Sequence, residues 1–305
     1  MPERAPRKQP TARLMTVLRK QRLTPHMIRV VFGGEELTGF PVGEYTDSYV
    51  KLLFPRPGVH YPEPFDMARV RQELPRDQWP VTRTYTVRRF DPQSRELTVD
   101  FVVHGESGPG AGLAGPWALA ARPGDGIRLL GPGGGYRPDP RADWHLLVGD
   151  ESALPAIAAA LERLPDDVPS LVLLEVAGPA EEQPLAAPPG TTLRWLHRTG
   201  TGSALPRLVA DLDFPPGVPH AFVHGEAGWV KEVRRHLRLE RGVPRDRLSV
   251  SGYWRLGHNE DGWQAAKPEW NARVEAEQEN ESGASGTTGP VPVPAGRGGS
   301  AAPVR

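Results

Sequence analysis

The 305-residue sequence contains no cysteine, so it cannot form a disulfide, a thiolate nucleophile, a zinc–thiolate site or a cysteine-ligated iron–sulfur cluster. Any redox chemistry would therefore depend on a bound cofactor. Net charge is also lacking, because 37 Lys and Arg balance 37 Asp and Glu, and nothing indicates a nucleic-acid or membrane partner. No run approaches the roughly 20 apolar residues of a membrane span, and the basic N-terminus lacks the apolar core of a secretory signal. We therefore expect a soluble cytoplasmic protein.

The first half of the chain is rich in short strand-like runs separated by Gly and Pro turn signals. Examples are RLMTVLRKQRL, MIRVVFGG, SYVKLLFP and PGDGIRLLGP. The runs at 83–90 (RTYTVRRF) and 95–104, separated by a DPQS turn, predict an antiparallel hairpin. Several short strands of this kind are typical of an antiparallel barrel or sandwich.

The pattern changes near Asp143, where strands become apolar on both faces and alternate with helices. WHLLVGD, SLVLLEVAG, TLRWLHR, HAFVHGE and RLSVSGYW read as strands, and SALPAIAAALERL and GWVKEVRRHLRLE read as helices. This alternation predicts a parallel sheet covered by helices.

These patterns divide the chain into five segments. We expect a flexible arm at 1–11, a β-barrel domain at 12–140, an α/β domain at 141–262, a helix at 263–281 and a disordered tail at 282–305. The tail consists largely of Gly, Pro, Ala, Ser and Thr without apolar periodicity, which is typical of disorder.

The strand at 83–90 is unusual because neither of its faces is strongly apolar. Arg83-Thr84-Tyr85-Thr86 resembles the Arg-x-Tyr-Ser/Thr signature of flavin reductases of the ferredoxin-reductase type. In that signature the arginine pairs with an FAD phosphate, the tyrosine ring packs on the isoalloxazine, and the hydroxyl bonds the reactive edge of the flavin. Taken alone, the tetrapeptide is equally compatible with an exposed polar barrel strand.

Further motifs follow in order. DFVVHG at 100–105 and GPGAGLAGPWA at 108–118 resemble segments of the siderophore-interacting protein family, the flavin-dependent ferric-siderophore reductases, with extra residues between the GP and the WA. GDESALPAI at 149–157, with Ser152 in place of a threonine, HGEAGWVKEVRRHL at 224–237 and SVSGYWRLGHNED at 249–261 extend the resemblance over about residues 14–281.

The resemblance implies a ferredoxin-reductase-type β-barrel that binds FAD, followed by an NAD(P)-binding α/β domain. It implies FAD contacts at Arg83, Thr84, Tyr85, Thr86, Asp100, Val102, His104, Gly105, Gly108, Pro109, Trp117 and Ala118. It implies NAD(P)H contacts at Gly149, Asp150, Glu151, Ser152, Ala153, Glu175, Gly225, Glu226 and Ala227. It implies siderophore contacts at Lys51, Tyr253 and Arg255, with Arg56 a weaker candidate.

The implied activity is electron transfer from NAD(P)H through FAD to a ferric siderophore, with release of Fe(II) for iron assimilation. No catalytic side chain and no protein-bound metal are expected, because the flavin carries the electrons. Glu175 would suit the ribose of NADH, whereas Arg194 or Arg198 could serve the 2′-phosphate of NADPH. A ferredoxin replaces the nicotinamide in some family members, and we expect a monomer.

Two other functions fit the same sequence. One is a general NAD(P)H:flavin oxidoreductase that releases reduced FAD, and the other is a siderophore-binding protein without catalysis. Flavin content and the rate of iron reduction distinguish them.

Overall fold

The structure is a computed structural model that describes residues 11–104, 112–200 and 202–285. Two sheets organise the chain in sequence order. An antiparallel sheet contains the strands of the first half, and a parallel sheet contains those of the second half. The predicted fold class is confirmed.

The first sheet has seven strands in the order β4-β3-β7-β1-β2-β6-β5. They are β1 (Arg13–Thr24), β2 (Met27–Gly33), β3 (Tyr49–Phe54), β4 (Val81–Thr86), β5 (Arg89–Asp91), β6 (Glu96–Val102) and β7 (Gly126–Gly133). Two short helices accompany them, α1 (Met67–Glu73) and α2 (Ala114–Ala120). The buried interior is mainly aliphatic but includes an aromatic cluster, in which the partly buried Trp117 of α2 packs near Phe54 and Phe101 with ring centroids 5.7 and 5.9 Å away.

The run at 83–90 does not form the predicted hairpin along its whole length. Tyr85 in β4 pairs with Val50 of β3, whereas Arg89 in β5 pairs with Thr98 of β6. Between these pairings, the Val87 N–H donates to the Ser48 carbonyl at 2.6 Å and the Arg88 N–H donates to the Thr98 carbonyl at 2.9 Å. The chain therefore passes from one edge of the sheet to the other and closes the barrel. The hairpin is therefore limited to β5 and β6. A β pattern in the sequence predicts that a segment is extended, but it does not predict which strand the segment pairs with.

The second sheet is parallel throughout, in the order β10-β9-β8-β11-β12. Its strands are β8 (Trp144–Asp150), β9 (Ser170–Val176), β10 (Thr191–His197), β11 (Pro219–Glu226) and β12 (Leu248–Trp254). The helices are α3 (Leu154–Leu161), α4 (Leu205–Ala210) and α5 (Ala227–Arg235). Strand order reverses between β8 and β11, which creates a switch point where sheets of this kind bind ligands beyond the carboxyl ends of the strands.

A final helix, α6 (Glu260–Ser285), is longer than the predicted segment at 263–281. Its Trp263 indole donates to the carbonyl of Gly252 in β12, and Gln278 donates to the carbonyl of Lys231 in α5. The helix therefore packs on the α/β domain. None of the helices in the described part of the chain is long and apolar enough to cross a bilayer.

Buried polar contacts join the two domains. Glu181 is only 6% exposed and accepts hydrogen bonds from the Thr24 hydroxyl at 2.5 Å and from the backbone N–H of His26 at 3.2 Å. Its other oxygen lies 2.6 Å from the His26 ring. These bonds lower the pKa of Glu181 against the effect of its burial. They fix the barrel against the α/β domain.

The α/β domain also encloses two histidines in a weakly polar environment. His145 is fully buried, and neither ring nitrogen has a hydrogen-bond partner among the described residues. Burial lowers its pKa to about 4, and the nearby His220 adds to the effect. Burial likewise lowers the pKa of His224, to about 3. Both imidazoles are therefore neutral in the folded protein near pH 7.

We predict that stability falls as the pH is lowered from about 6.5 towards 4. In this range the unfolded chain binds protons that the folded His145 does not, so folding becomes less favourable. A shift from 6.5 to about 4 corresponds to ~3 kcal/mol for this one residue. Urea titrations of wild type and His145→Leu from pH 4 to 8 measure the difference. The substitution should flatten the profile, and the exposed control His60→Leu should leave it unchanged. Parallel wild-type and His145→Leu profiles would contradict the prediction.

Candidate functional site

The switch point of the parallel sheet is organised by one buried carboxylate, Asp150 at the end of β8. It is 1% exposed and accepts bonds from the Ser152 hydroxyl at 2.5 Å and the Ser152 N–H at 3.0 Å. Its second oxygen accepts from the Glu226 N–H at 2.8 Å and from the Trp254 indole at 3.0 Å. Burial raises the pKa of Asp150 and these donors oppose the rise. The carboxylate thereby ties the ends of β8, β11 and β12 together.

Gly225 and Glu226 complete this edge. Gly225 has φ +153°, and a Cβ there would lie 2.3 Å from Trp229 and 2.4 Å from the Asp150 carboxylate, so only glycine fits. Glu226 caps α5 by accepting from the N–H groups of Gly228 at 2.7 Å and Trp229 at 3.2 Å. These residues, with the buried Ala227, shape the backbone of the predicted nicotinamide site.

A second polar network lies beside it, at the ends of β8 and β9. Arg198 forks onto Glu151 at 3.1 and 2.8 Å, and its Nε lies 3.5 Å from the Glu175 carboxylate. Glu175 is buried and also accepts from the Ala204 N–H at 2.8 Å. The structure therefore pairs the residue predicted for a ribose, Glu175, with one predicted for a 2′-phosphate, whereas Arg194 is exposed on β10.

Two further predicted nicotinamide residues are buried beside Asp150. A Cβ on Gly149 would lie 2.7 Å from Ala153 and 2.7 Å from Ile157, so this glycine allows α3 to pack closely on β8. Ala153 is fully buried.

Of the predicted flavin residues in the barrel, His104 is exposed and Tyr85 is partly buried. The Tyr85 ring rests on Phe101, with centroids 4.4 Å apart, and is half-buried. Burial raises its pKa, so the phenol is neutral at ordinary pH. His104 has an exposed side chain, and partial desolvation lowers its pKa while the charge of Glu151 opposes this. His104 thus lies within range of the charges of Glu151 and Arg198, beside the predicted nicotinamide site.

Other predicted flavin residues lie within the barrel wall. Asp100 is 3% exposed and is forked by Arg29, with both bonds at 2.7 Å. Trp117 and the buried Ala118 belong to the aromatic core, and Val102 is half-buried at the end of β6. Gly105, Gly108 and Pro109 lie outside the described residues.

Arg83 and Thr84 contact the first turn of α6. The Arg83 guanidinium donates to Asp261 at 2.9 and 3.3 Å and lies 3.4 Å from Glu260. The Thr84 N–H donates to Glu260 at 2.9 Å.

The chain's residues fit the ring end of an FAD. The Tyr85 ring packs on Phe101 and is only partly exposed, and the next residue, Thr86, is 8% exposed. The tyrosine supplies an apolar ring and the threonine a hydroxyl, which are the kinds of group that a flavin ring and its polar edge would contact. Arg83 does not fit the phosphate role equally well, because carboxylates already occupy it.

A cavity of about 710 Å³ opens on the other face of β4, between β3, α1 and α6. It is lined by Tyr49 and Trp79, by the cationic Lys51, Arg56, Arg71 and Arg76, and by the acidic Glu260 and Asp261. Sequence reasoning missed Arg71 and Arg76, because it treated 56–80 as largely irregular. A signal for α1 was present in the sequence, because Asp66 is a residue type favoured at an N-cap and it precedes Met67 and Val70 at helical spacing; in the structure it accepts from the Ala68 N–H and caps α1.

Two residues predicted to bind the substrate do not line this cavity. The Arg255 guanidinium lies 3.9 Å from the ring centroid of Trp270 in α6. Tyr253 packs edge-on against His224 at 4.9 Å, and burial raises its pKa. The three residues predicted to bind the siderophore are therefore not all found in the lining of this one cavity.

Comparison with known proteins agrees with both domains. The siderophore-interacting FAD-binding domain matches residues 16–136, and the siderophore-interacting protein family matches residues 142–257. The ferric vibriobactin reductase ViuB of Vibrio cholerae is 36% identical, over 82% of this chain and 92% of its own. The NADPH-dependent ferric-chelate reductase of Escherichia coli is 32% identical, over 79% and 92%. The crystal structure of the siderophore-interacting protein SipS from Aeromonas hydrophila has a TM-score of 0.73 at 32% identity, covering 86% of this chain and 99% of that one.

The geometry around Asp150 predicts a large stability loss for Asp150→Ala. Four donors would lose their acceptor in a buried site, which should lower the free energy of unfolding by about 3 kcal/mol. Chemical denaturation measures this, with the exposed Asp213→Ala as a control expected to change stability by less than about 0.5 kcal/mol. Equal stabilities for the two variants would contradict the assigned role of Asp150.

Proposed function

The chain belongs to the siderophore-interacting protein family, and from this membership we propose that it is an FAD-dependent ferric-siderophore reductase that takes its electrons from NAD(P)H. The observation that carries the proposal is the switch point that Asp150 organises in the parallel sheet, in a chain whose first domain matches the siderophore-interacting FAD-binding domain. His104, at the end of the barrel strand β6, experiences the charge of Glu151 beside that switch point, which supports placing the flavin and the nicotinamide next to each other. The cationic cavity behind β4 offers an approach for an anionic substrate.

Reduction accounts for release of the metal. Fe(III) is a small, hard cation that siderophore oxygens hold tightly, and adding one electron weakens that grip because the charge density falls. FAD, when bound, accepts two electrons as a hydride from a nicotinamide and passes them singly to iron. The iron complex is the substrate, and electron transfer at its surface requires no protein ligand to the metal.

The chain's own residues bind and orient the reactants. Tyr85 would support the flavin ring, the Thr86 hydroxyl would bond its polar edge, and His104 would lie between the flavin and nicotinamide sites. The nicotinamide would bind at the sheet edge that Asp150 holds in place. The remaining predicted members of that site are Gly149, Glu151, Ser152, Ala153, Glu175, Gly225, Glu226 and Ala227, and they shape its backbone and charge.

Lys51 is the cation of this chain that we propose for substrate binding. It lies on the outer face of β3, exposed in the cavity, and Arg56 lines the same space. A ferric siderophore with net negative charge would be attracted there, and the attraction would weaken with salt.

The reductase activity predicts a defined reaction sequence. Anaerobic NADPH or NADH should bleach the flavin absorbance of the holoprotein, and a ferric siderophore should restore it while ferrozine traps Fe(II). Free reduced FAD at equal concentration is the control. Reoxidation no faster than the control would favour a general flavin reductase, and a protein that binds no flavin would favour a siderophore-binding protein. Either result would contradict the proposal.

The charge of Lys51 predicts selectivity between substrates. Lys51→Ala should raise KM roughly tenfold for a trianionic ferric tricatecholate and leave KM for a neutral ferric trihydroxamate nearly unchanged, because only the first gains from the cation. Steady-state kinetics at low and high salt measures both, with Arg89→Ala as a charge-matched control on the exposed β5 edge. Equal effects on the two substrates would contradict the role of Lys51.

A further inference from the structure

Arg83 has almost all of its hydrogen-bonding capacity engaged within the protein. One terminal nitrogen donates to the Thr82 carbonyl at 2.8 Å and to Asp261 at 2.9 Å, and the other donates to Asp261 at 3.3 Å. The Nε lies 3.4 Å from Glu260, and the side chain is only 14% exposed. The paired guanidinium N–H groups that could bind a phosphate therefore already bind the Asp261 carboxylate.

A phosphate could not join this arrangement without a penalty. It would bring negative charge against Glu260 and Asp261, which share the guanidinium. It would also leave the partly buried Glu260 without its counter-charge, and burial already raises the pKa of that carboxyl. Charge and geometry both favour the carboxylates as partners of Arg83.

The contacts of Glu260 explain what the pairing achieves. β4 lies at an edge of the first sheet, and the Thr84 N–H donates to Glu260 at 2.9 Å. The first turn of α6 thus covers the open edge of the strand that carries Tyr85. The Arg83 side chain binds the same turn through Asp261 and Glu260. A backbone N–H and a side chain of β4 therefore both hold the first turn of α6.

The rest of α6 is anchored on the other domain. Trp263 donates to the Gly252 carbonyl at 3.2 Å, Lys267 donates to the Ser251 hydroxyl at 2.9 Å, and Trp270 stacks on Arg255 at 3.9 Å. The helix consequently spans from β12 to β4. Its acidic first turn forms one wall of the cavity that contains Lys51.

We propose that Arg83 is a positioning residue that clasps the first turn of α6 onto β4, rather than a ligand of a cofactor phosphate. The clasp, defined as Arg83, Thr84, Glu260 and Asp261, joins the two domains and fixes one wall of the cavity. That this wall borders a substrate site rests on the proposed function, whereas the assignment of Arg83 rests on its contacts alone.

The two roles of Arg83 predict opposite outcomes when its carboxylate partners are removed. If Arg83 forms the clasp, Glu260→Gln/Asp261→Asn should reproduce Arg83→Ala, and combining all three changes should add little. If Arg83 binds a phosphate, the same double substitution should leave FAD affinity unchanged or tighten it, because the guanidinium is released.

The experiment measures hydrogen–deuterium exchange of residues 260–267 and the Kd of the apoprotein for FAD and riboflavin. Arg83→Ala should speed exchange in the first turn of α6 at least tenfold and change both Kd values by the same factor. Arg83→Lys, which keeps the charge, should be intermediate, and Arg89→Ala, on the exposed β5, should match wild type.

Two results would overturn the assignment. One is an Arg83→Ala variant that weakens FAD at least tenfold more than riboflavin, since only FAD carries the pyrophosphate. The other is unchanged exchange at 260–267. Because neither measurement involves a siderophore or turnover, failure of the clasp and failure of the reductase proposal are separate results.

Discussion

A buried carboxylate must be fully hydrogen-bonded, and the site of this protein depends on how that requirement is met at Asp150. Its oxygens accept from Ser152, Glu226 and Trp254, which belong to three different chain segments. One side chain therefore fixes the carboxyl ends of β8, β11 and β12 in relation to one another. The glycine at 225 follows from it, because any side chain there would meet the same carboxylate.

The arrangement of the two domains depends further on polar contacts between them. Glu181 contacts the barrel through Thr24 and His26, and Glu260 and Asp261 of α6 contact it through Arg83. In both places a carboxylate of one domain meets hydrogen-bond donors of the other. The large apolar clusters lie within the separate domains, so these polar contacts rather than a continuous apolar core join the two.

Three segments have contacts in the structure that the sequence did not predict. The segment at 83–90 forms not one strand of a hairpin but two short strands, whose halves pair with β3 and with β6 where the barrel closes. Arg255 follows a strand as expected, yet it stacks on Trp270 of a helix that begins five residues later. Arg71 and Arg76 line the same cavity as Lys51 because Met67 and Val70 pack α1 against Leu53 of β3 and Leu130 of β7, which folds the stretch at 56–80 back onto the barrel.

The sequence by itself determined the two-domain order, because period-two alternation and doubly apolar runs reflect local exposure of each strand. The order of its motifs also indicated the family, and the lack of cysteine implied that any redox chemistry depends on a bound cofactor. The tertiary structure alone decided which distant groups satisfy each charge. Arg83 and Asp261 are 178 positions apart, and Arg29 and Asp100 are 71 apart. Local patterns encode backbone angle and burial, whereas the partner of a charge depends on which segments the folded chain brings together.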